Sequence, residues 1–248
     1  MEIEIINIEY SLHMFSRFHC GTGYSFGLVD RMARKDHSGY LLIPGSTVKG
    51  LVRENCEKIL AMCEIVPGQP QDEKKEIMHI NRPRINDMIF GSKFHPGMLY
   101  FDNVELSDDD KAFFDGPDPD GGKRYLSLQT ENLTQTSISR RLGVVKQKSL
   151  FNSEYGINQL TFKGRIFGML QGVPISELKI GSRGTDSLLL ILAGLLMIEN
   201  LGSDRTRGAG KCRVEVTNLL VDGIEADPFE ILTAMKEFPL LYMERGEQ

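Results

Sequence analysis

Eleven consecutive apolar residues, Leu188 to Ile198 (LLLILAGLLMI), limit the fold more than any other stretch of this chain. Crossing a bilayer as a helix takes about 20 residues, so this run is too short to span one. It is apolar on nearly every side, so a helix over 185–200 belongs in the interior, not at the surface. An alternating segment precedes it (LTFKGRIFGML, 160–170) and another follows it (CRVEVTNLLV, 212–221). Both patterns predict half-buried strands.

The remaining periodicities extend this into an α+β order. EIEIINIEYSL alternates from residue 2, with a slip at Ile5-Ile6 that predicts a bulge. A short apolar run, Tyr40 to Ile43, ends at Pro44-Gly45-Ser46, with Ser46 placed as an N-cap. Val48, Leu51, Val52, Cys56, Ile59, Leu60 and Cys63 then share one helical face. Residues 97–106 read as a second strand, 108–122 as an acidic loop and 227–240 as a short helix. The order is βαββαβ, the ferredoxin-like arrangement also used by RNA-recognition modules, with the sheet face expected beneath the loop at 201–211. The whole chain, 1–248, reads as one domain with a charged surface insertion at 66–90. A polar, then basic, segment at 127–155 fits no periodic pattern.

With 248 residues and 41% hydrophobic content, the chain is long enough for a sizeable core. No cleavable leader is evident. Cys20, Cys56, Cys63 and Cys212 form no CxxC pair, which points to free thiols in a reducing cytoplasm. Zinc on Cys56, Cys63 and His79 is not expected, because the spacing is not that of a common knuckle. The net charge of −5 disfavours a polyanion partner at first sight. Residues 102–120, however, carry eight acids and one lysine, while 140–165 carry six Lys/Arg and a single Glu154. A basic surface on an acidic body is compatible with screening at physiological salt.

The stretch LGSDRTRGAGKCRVEV (201–216) combines Gly202, Gly208 and Gly210 with Arg205, Arg207, Lys211 and Arg213. Exposed backbone amides and guanidinium forks both donate to phosphate oxygens. The order helix, loop, strand excludes a dinucleotide fingerprint, and Cys212 after Gly210-Lys211 excludes a P-loop. A plain helix cap with solvated charges explains the loop equally well when it is taken alone.

Two further stretches carry a resemblance, together with 201–216. GTGYSFGLVDRMARKDHSGYLLIPGSTVKGLVR (21–53) resembles the opening of the RAMP superfamily: a Gly-rich loop, an aspartate, then Ile-Pro-Gly-Ser-x-x-Lys-Gly-x-x-Arg. FGSKFHPGMLYFDNVEL (90–106) resembles its Phe-Gly-Ser…Gly-x-Leu-x-Phe-x-Asp strand, and 201–216 its glycine loop. Together with the 127–155 insertion they run from about residue 15 to 216. Within the superfamily the chain is most similar to the repeated backbone subunit of type III CRISPR effector complexes.

The resemblance implies a filament of copies along a guide CRISPR RNA, with other effector subunits as partners and complementary target RNA as ligand. It implies that 127–155 is a thumb-like hairpin wedged into the guide–target duplex. It places a cleaving, metal-holding aspartate at Asp30, with Asp36 at the family's Asp-x5-Asp spacing and magnesium or manganese as cofactor. Arg31-Met32-Ala33 departs from the more apolar stretch of the family.

The residues support related chemistry. Cleavage by an internal 2′-OH needs in-line geometry that an A-form helix does not present, and a wedge that unstacks a nucleotide supplies it. Asp30 is the only acid between Tyr10 and Asp36, beside Arg31, Arg34 and Lys35. It fits a proton acceptor or metal ligand, or equally a turn cap. His19 and His37 flank the loop as further acid–base candidates. Gly21, Gly23, Ser46, Lys49, Arg53, Arg205, Arg207, Gly208, Gly210 and Lys211 are candidate contacts to the RNA backbone. In 127–155, Ile138, Leu142, Val144 and Val145 lie among Arg140, Arg141, Lys146 and Lys148, a composition suited to a wedge or to a partner-packing loop. A non-catalytic backbone or capping subunit, and a metal-independent guide-processing endoribonuclease, are the competing readings.

Overall fold

A computed structural model describes residues 2–62, 85–116, 125–139, 141–175, 184–236 and 238–239. Strand β1 (Glu2–Met14) lies at the centre of a seven-stranded sheet. It is antiparallel to β7 (Thr161–Gly172) on one side and to β8 (Cys212–Val221) on the other. The outer edge of β7 carries β3 (Leu99–Phe101) and β4 (Val104–Leu106). Strand β2 (Leu42–Ile43) pairs with β4, and β9 (Ile224–Glu225) pairs with β8. The architecture is mixed α/β with antiparallel sheets.

Ile6, Ile8, Tyr10, Leu12 and Met14 face the core, while Ile3 and Ile5 stand 61% and 62% exposed. The slip at Ile5-Ile6 is therefore an apolar residue on the outer face, not a bulge. The irregularity lies opposite: Glu9 pairs with Asn218 and Tyr10 with Val216, so Thr217 of β8 is the extra residue.

Helix α1 (Gly45–Met62) starts one residue before Ser46, which thus sits in the first turn and is not its cap. The Gly45 N–H instead donates to Asn103 Oδ1 at 3.1 Å. That contact sits at the break between β3 and β4, which divides the run read as one strand. The segment at 85–90, expected within a surface insertion, forms helix α2 (Ile85–Phe90) with Ile85, Ile89 and Phe90 buried. The acidic stretch starts as helix α3 (Asp108–Phe114), not as loop. Ser107 caps it, accepting from the Asp110 N–H, and three first-turn aspartates meet the positive end of the helix.

Strands β5 (Thr130–Ile138) and β6 (Val145–Gly156) turn the unassigned 127–155 segment into a separate antiparallel hairpin. Leu188 to Leu192 and Leu195 of helix α4 (Asp186–Leu196) are all buried. This helix lies close against α1, since a Cβ at Gly194 would stand 2.7 Å from Cys56 Sγ. The tail contributes α5 (Pro228–Thr233) and a 3-10 turn at Ala234–Lys236. Two cations of the basic 140–165 stretch are spent within the chain: Lys163 pairs with Asp108 at 2.7 Å and Arg165 with Asp102 at 3.0 Å. Among the described residues no helix is long and apolar enough to cross a membrane.

Candidate nucleic-acid interface

An open groove of ≈ 620 Å³ gathers three segments that are far apart in sequence. The loop after β1 contributes His19, Gly21, Gly23, Asp30 and Arg31; the first turns of α1 contribute Ser46, Thr47 and Gly50; the glycine-rich loop contributes Gly202, Ser203 and Arg205. No acid lies in the first turn of α1, so its positive end is uncompensated where the two hydroxyls line the groove.

Glycine geometry accounts for how the third segment fits. Gly202 has φ +84°, and a Cβ there would stand 2.5 Å from the His19 carbonyl oxygen. The backbone at this point is tied down, because the Ser203 N–H donates to that oxygen at 3.0 Å. Gly210 N–H likewise donates to Arg17 O at 2.7 Å, and Phe15 N–H to Lys211 O at 2.8 Å. The loop thus runs along the segment beyond the end of β1, not over the sheet face as expected from sequence.

Asp30 is exposed at the groove margin, yet one carboxylate oxygen, Oδ2, accepts from the Asn152 N–H of β6 at 2.8 Å. The Asp30 N–H donates to Asn152 O at 2.9 Å, and Asn152 Nδ2 donates to Leu28 O at 2.9 Å. Two residues on, Glu154 N–H donates to Arg31 O, and Ala33 N–H donates to Glu154 Oε2 at 3.0 Å. Lys35 Nζ completes the seam at 2.5 Å from Glu154 Oε1. Burial raises the Glu154 carboxyl, but the donors from Lys35, Thr130 and Ala33 outweigh it and leave it below the usual range. The loop bearing Asp30 is thereby laced to the base of the β5–β6 hairpin.

A second node joins hairpin and glycine loop. Asp204, in the left-handed region at φ 59°, accepts from Tyr155 Oη at 2.6 Å and from Arg31 at 3.3 Å. Arg31 also donates to Ser203 Oγ at 2.8 Å. The Tyr155 hydroxyl, followed by the Arg31 charge, holds the Asp204 carboxyl below its ordinary value against partial burial. His19, 4% exposed, lies beside Tyr155 and its Nδ1 is 2.6 Å from Glu154 O. Burial lowers its pKa, Arg31 lowers it further, and the Glu154 hydrogen bond opposes them.

Several residues singled out from sequence stand elsewhere. Asp36 is a turn residue: its Oδ1 accepts from Ser38 and Tyr40 N–H at 2.8 and 2.9 Å. His37 is exposed on that turn and, like Lys49, does not line the groove. Arg53 faces α2, reaching Asp87 at 3.9 Å and Gly91 O at 3.4 Å, and it pairs with Glu57. Arg205 lies 3.7 Å from Glu54, and Arg207 pairs with Asp204 at 3.4 Å. Lys211 and Gly208 sit at the exposed rim of the loop. Arg141 and Lys146 are exposed near the hairpin tip with Ile138, Leu142, Val144 and Val145. Arg140, the Lys148 side chain, Cys63 and His79 lie outside the described residues. Cys56 is buried beside Leu190 O, and burial pushes its thiol pKa up, which suits packing and not ligation. Sequence reasoning missed Thr47, Asn152, Tyr155, Ser203 and Asp204. None carries a motif of its own, because their partners are set by the fold.

Comparison with known proteins bears on the fold and the family. Two chains from type III-B Cmr-beta complexes share the fold. One is from the complex bound to cognate target RNA (TM-score 0.52) and the other from the apo state (TM-score 0.53). Each is 12% identical and covers 85% of this chain, the match spanning 96% and 97% of theirs. No match is found among curated protein sequences. The sequence model of the RAMP superfamily matches residues 12–213, a span that takes in all three walls of the groove, and the chain belongs to that superfamily.

Proposed function

We propose that this chain is a backbone subunit of a type III CRISPR effector complex, binding guide RNA in the groove and cleaving complementary target RNA at Asp30. The observation that carries this reading is the convergence of the Asp30 loop, the start of α1 and the glycine-rich loop on one cation-bearing groove. The sheet order β4–β7–β1–β8 with the crossover helices α1 and α4 supports a ferredoxin-like core. The hairpin inserted between α3 and β7, apolar and cationic near its tip, supports a thumb that unstacks one nucleotide. The folds of the Cmr-beta chains support assembly with RNA and further subunits.

Among the described residues no three His, Cys, Asp or Glu side chains converge on a metal position. Magnesium is commonly held by one or two carboxylates together with phosphates and water, so Asp30 fits a magnesium or manganese ion that is shared with RNA. Such an ion supplies charge stabilisation at the reacting phosphate. The chain's own part is to position: Arg31 and Arg205 hold phosphate, and Asp30 offers a carboxylate oxygen beside the backbone. Asp30→Asn in the assembled complex lowers cleavage of guide-complementary RNA in magnesium by at least about a hundredfold, with binding retained. The Asn152 contact favours one second reading, a scaffold in which Asp30 only anchors the hairpin. Full cleavage by the Asp30→Asn complex establishes that reading instead.

A further inference from the structure

Two charged side chains of the groove can only donate, and one buried side chain beside them offers an acceptor. The guanidinium groups of Arg31 and Arg205 can only donate. His19 differs. Its Nδ1 faces a backbone carbonyl oxygen at 2.6 Å, and a carbonyl carries no proton, so Nδ1 is the protonated nitrogen. Nε2 is left with a lone pair. Burial and the Arg31 charge keep the ring neutral, so that lone pair persists at neutral pH. The ring is fixed by Tyr155, 5.5 Å away between centroids. A Cβ at Gly21 would stand 2.8 Å from Nε2, so the glycine keeps the groove wall open beside this nitrogen.

A sugar–phosphate strand has little to offer such an atom. Phosphate and ring oxygens only accept, and they are repelled by a lone pair. The single donor along an RNA backbone is the 2′-hydroxyl, which DNA lacks. Asp30 also accepts, but it is exposed and keeps water, whereas His19 is 4% exposed, so a strand that covers Nε2 without donating to it leaves that nitrogen unpaired at a cost.

We propose that His19 Nε2 accepts a hydrogen bond from the 2′-hydroxyl of one ribose in the groove, making His19 the residue that selects RNA over DNA. This rests on the reading of the groove as a nucleic-acid site. It is independent of base sequence and of cleavage.

The test uses the full chain, a labelled single-stranded RNA and DNA of the same sequence, with affinities read by fluorescence anisotropy at fixed salt. His19→Asn is the informative variant, since the amide N–H of asparagine can replace Nδ1–H toward Glu154 O while nothing replaces Nε2. Wild-type protein prefers RNA by about tenfold, the size of one hydrogen bond to a buried acceptor. In His19→Asn the ratio falls to about twofold, because neither strand then leaves an acceptor unpaired. A thermal melt confirms that the variant is folded, and wild-type protein with 2′-deoxy-substituted RNA gives the same loss without mutation. Equal affinity of wild type for both strands, or a ratio unchanged in His19→Asn, overturns the assignment to His19 alone. Failure of wild type to retain either strand at low salt overturns the groove reading and this inference together.

Discussion

Gly208 and Gly210 offer a controlled measurement of what the glycine-rich loop requires. Both have positive φ, +81° and +79°. They differ in surroundings: a Cβ on Gly208 meets nothing within 4 Å, whereas one on Gly210 would fall inside the carbonyl oxygen of Leu201. Alanine at 208 therefore incurs only the left-handed backbone penalty, about 1 kcal/mol. Alanine at 210 incurs that penalty and must also push two backbone segments apart. The displacement breaks the Leu201 N–H to Gly210 O hydrogen bond of 2.8 Å and strains the Gly210 N–H contact to Arg17 O. Overpacking costs about 1–3 kcal/mol and a lost buried hydrogen bond about 1 more, so the total is roughly 3–5 kcal/mol. Urea denaturation of the two variants, followed by circular dichroism, measures both values. RNA affinity should follow the same order, since Gly210 sets the path of the chain that carries Arg205 and Ser203. Equal destabilisation by the two substitutions refutes the reasoning, because it leaves backbone torsion as the whole of the effect.

Two further outcomes follow from charge. Glu4 is 3% exposed beside Thr185, and burial raises its pKa from 4.5 to about 7. The folded state therefore holds the proton longer than the unfolded one: this contribution is full below about pH 4.5 and is lost as pH rises through about 7. Glu4→Gln should melt like wild type at pH 4.5 but be more stable at pH 8, by up to about 3 kcal/mol; a pH-independent difference contradicts this. Replacing Arg205 and Arg207 together should flatten the log–log salt dependence of RNA binding by up to about two, measured by anisotropy titrations at several salt concentrations. An unchanged slope removes the glycine-rich loop from the interface.

Regular periodicity made most of the scaffold legible. The segments 160–170 and 212–221 lie within two residues of β7 and β8, and 185–200 covers α4 with four residues to spare at its end, because burial on one face or on all faces leaves a direct imprint on side-chain polarity. Where a remote residue decides local structure, the imprint is missing. Asn103, 58 positions away, takes the first N–H of α1, which begins a residue before Ser46. The acidic run after Ser107 hid a helix because its helix-favouring feature, charge at the N-terminus, has the composition of a solvated loop. The groove behaves likewise: its three walls are visible as glycine and cation patterns, but reading Arg53 as a phosphate contact and Asp36 as a secondary catalytic group takes no account of Asp87 or the 38–40 turn, which only the fold brings to them. The Asp30–Asn152 and Arg31–Asp204 contacts span 122 and 173 positions, beyond any local pattern.

Those same spans have a consequence during synthesis. Strand β1 leaves the ribosome first among the described elements, yet β8, its second neighbour, follows some two hundred residues later. At roughly 5–20 residues per second, the central strand waits on the order of ten to forty seconds for that partner. Non-local pairing of this kind folds slowly, because the loop between partners must be closed before any contact rewards it. The groove needs Gly202, Ser203 and Arg205 as its third wall, so a nascent chain has no finished groove until residue 205 has been made. On the function proposed above, a half-made chain is thereby kept from seizing a guide, and only chains with the third wall in place compete for it.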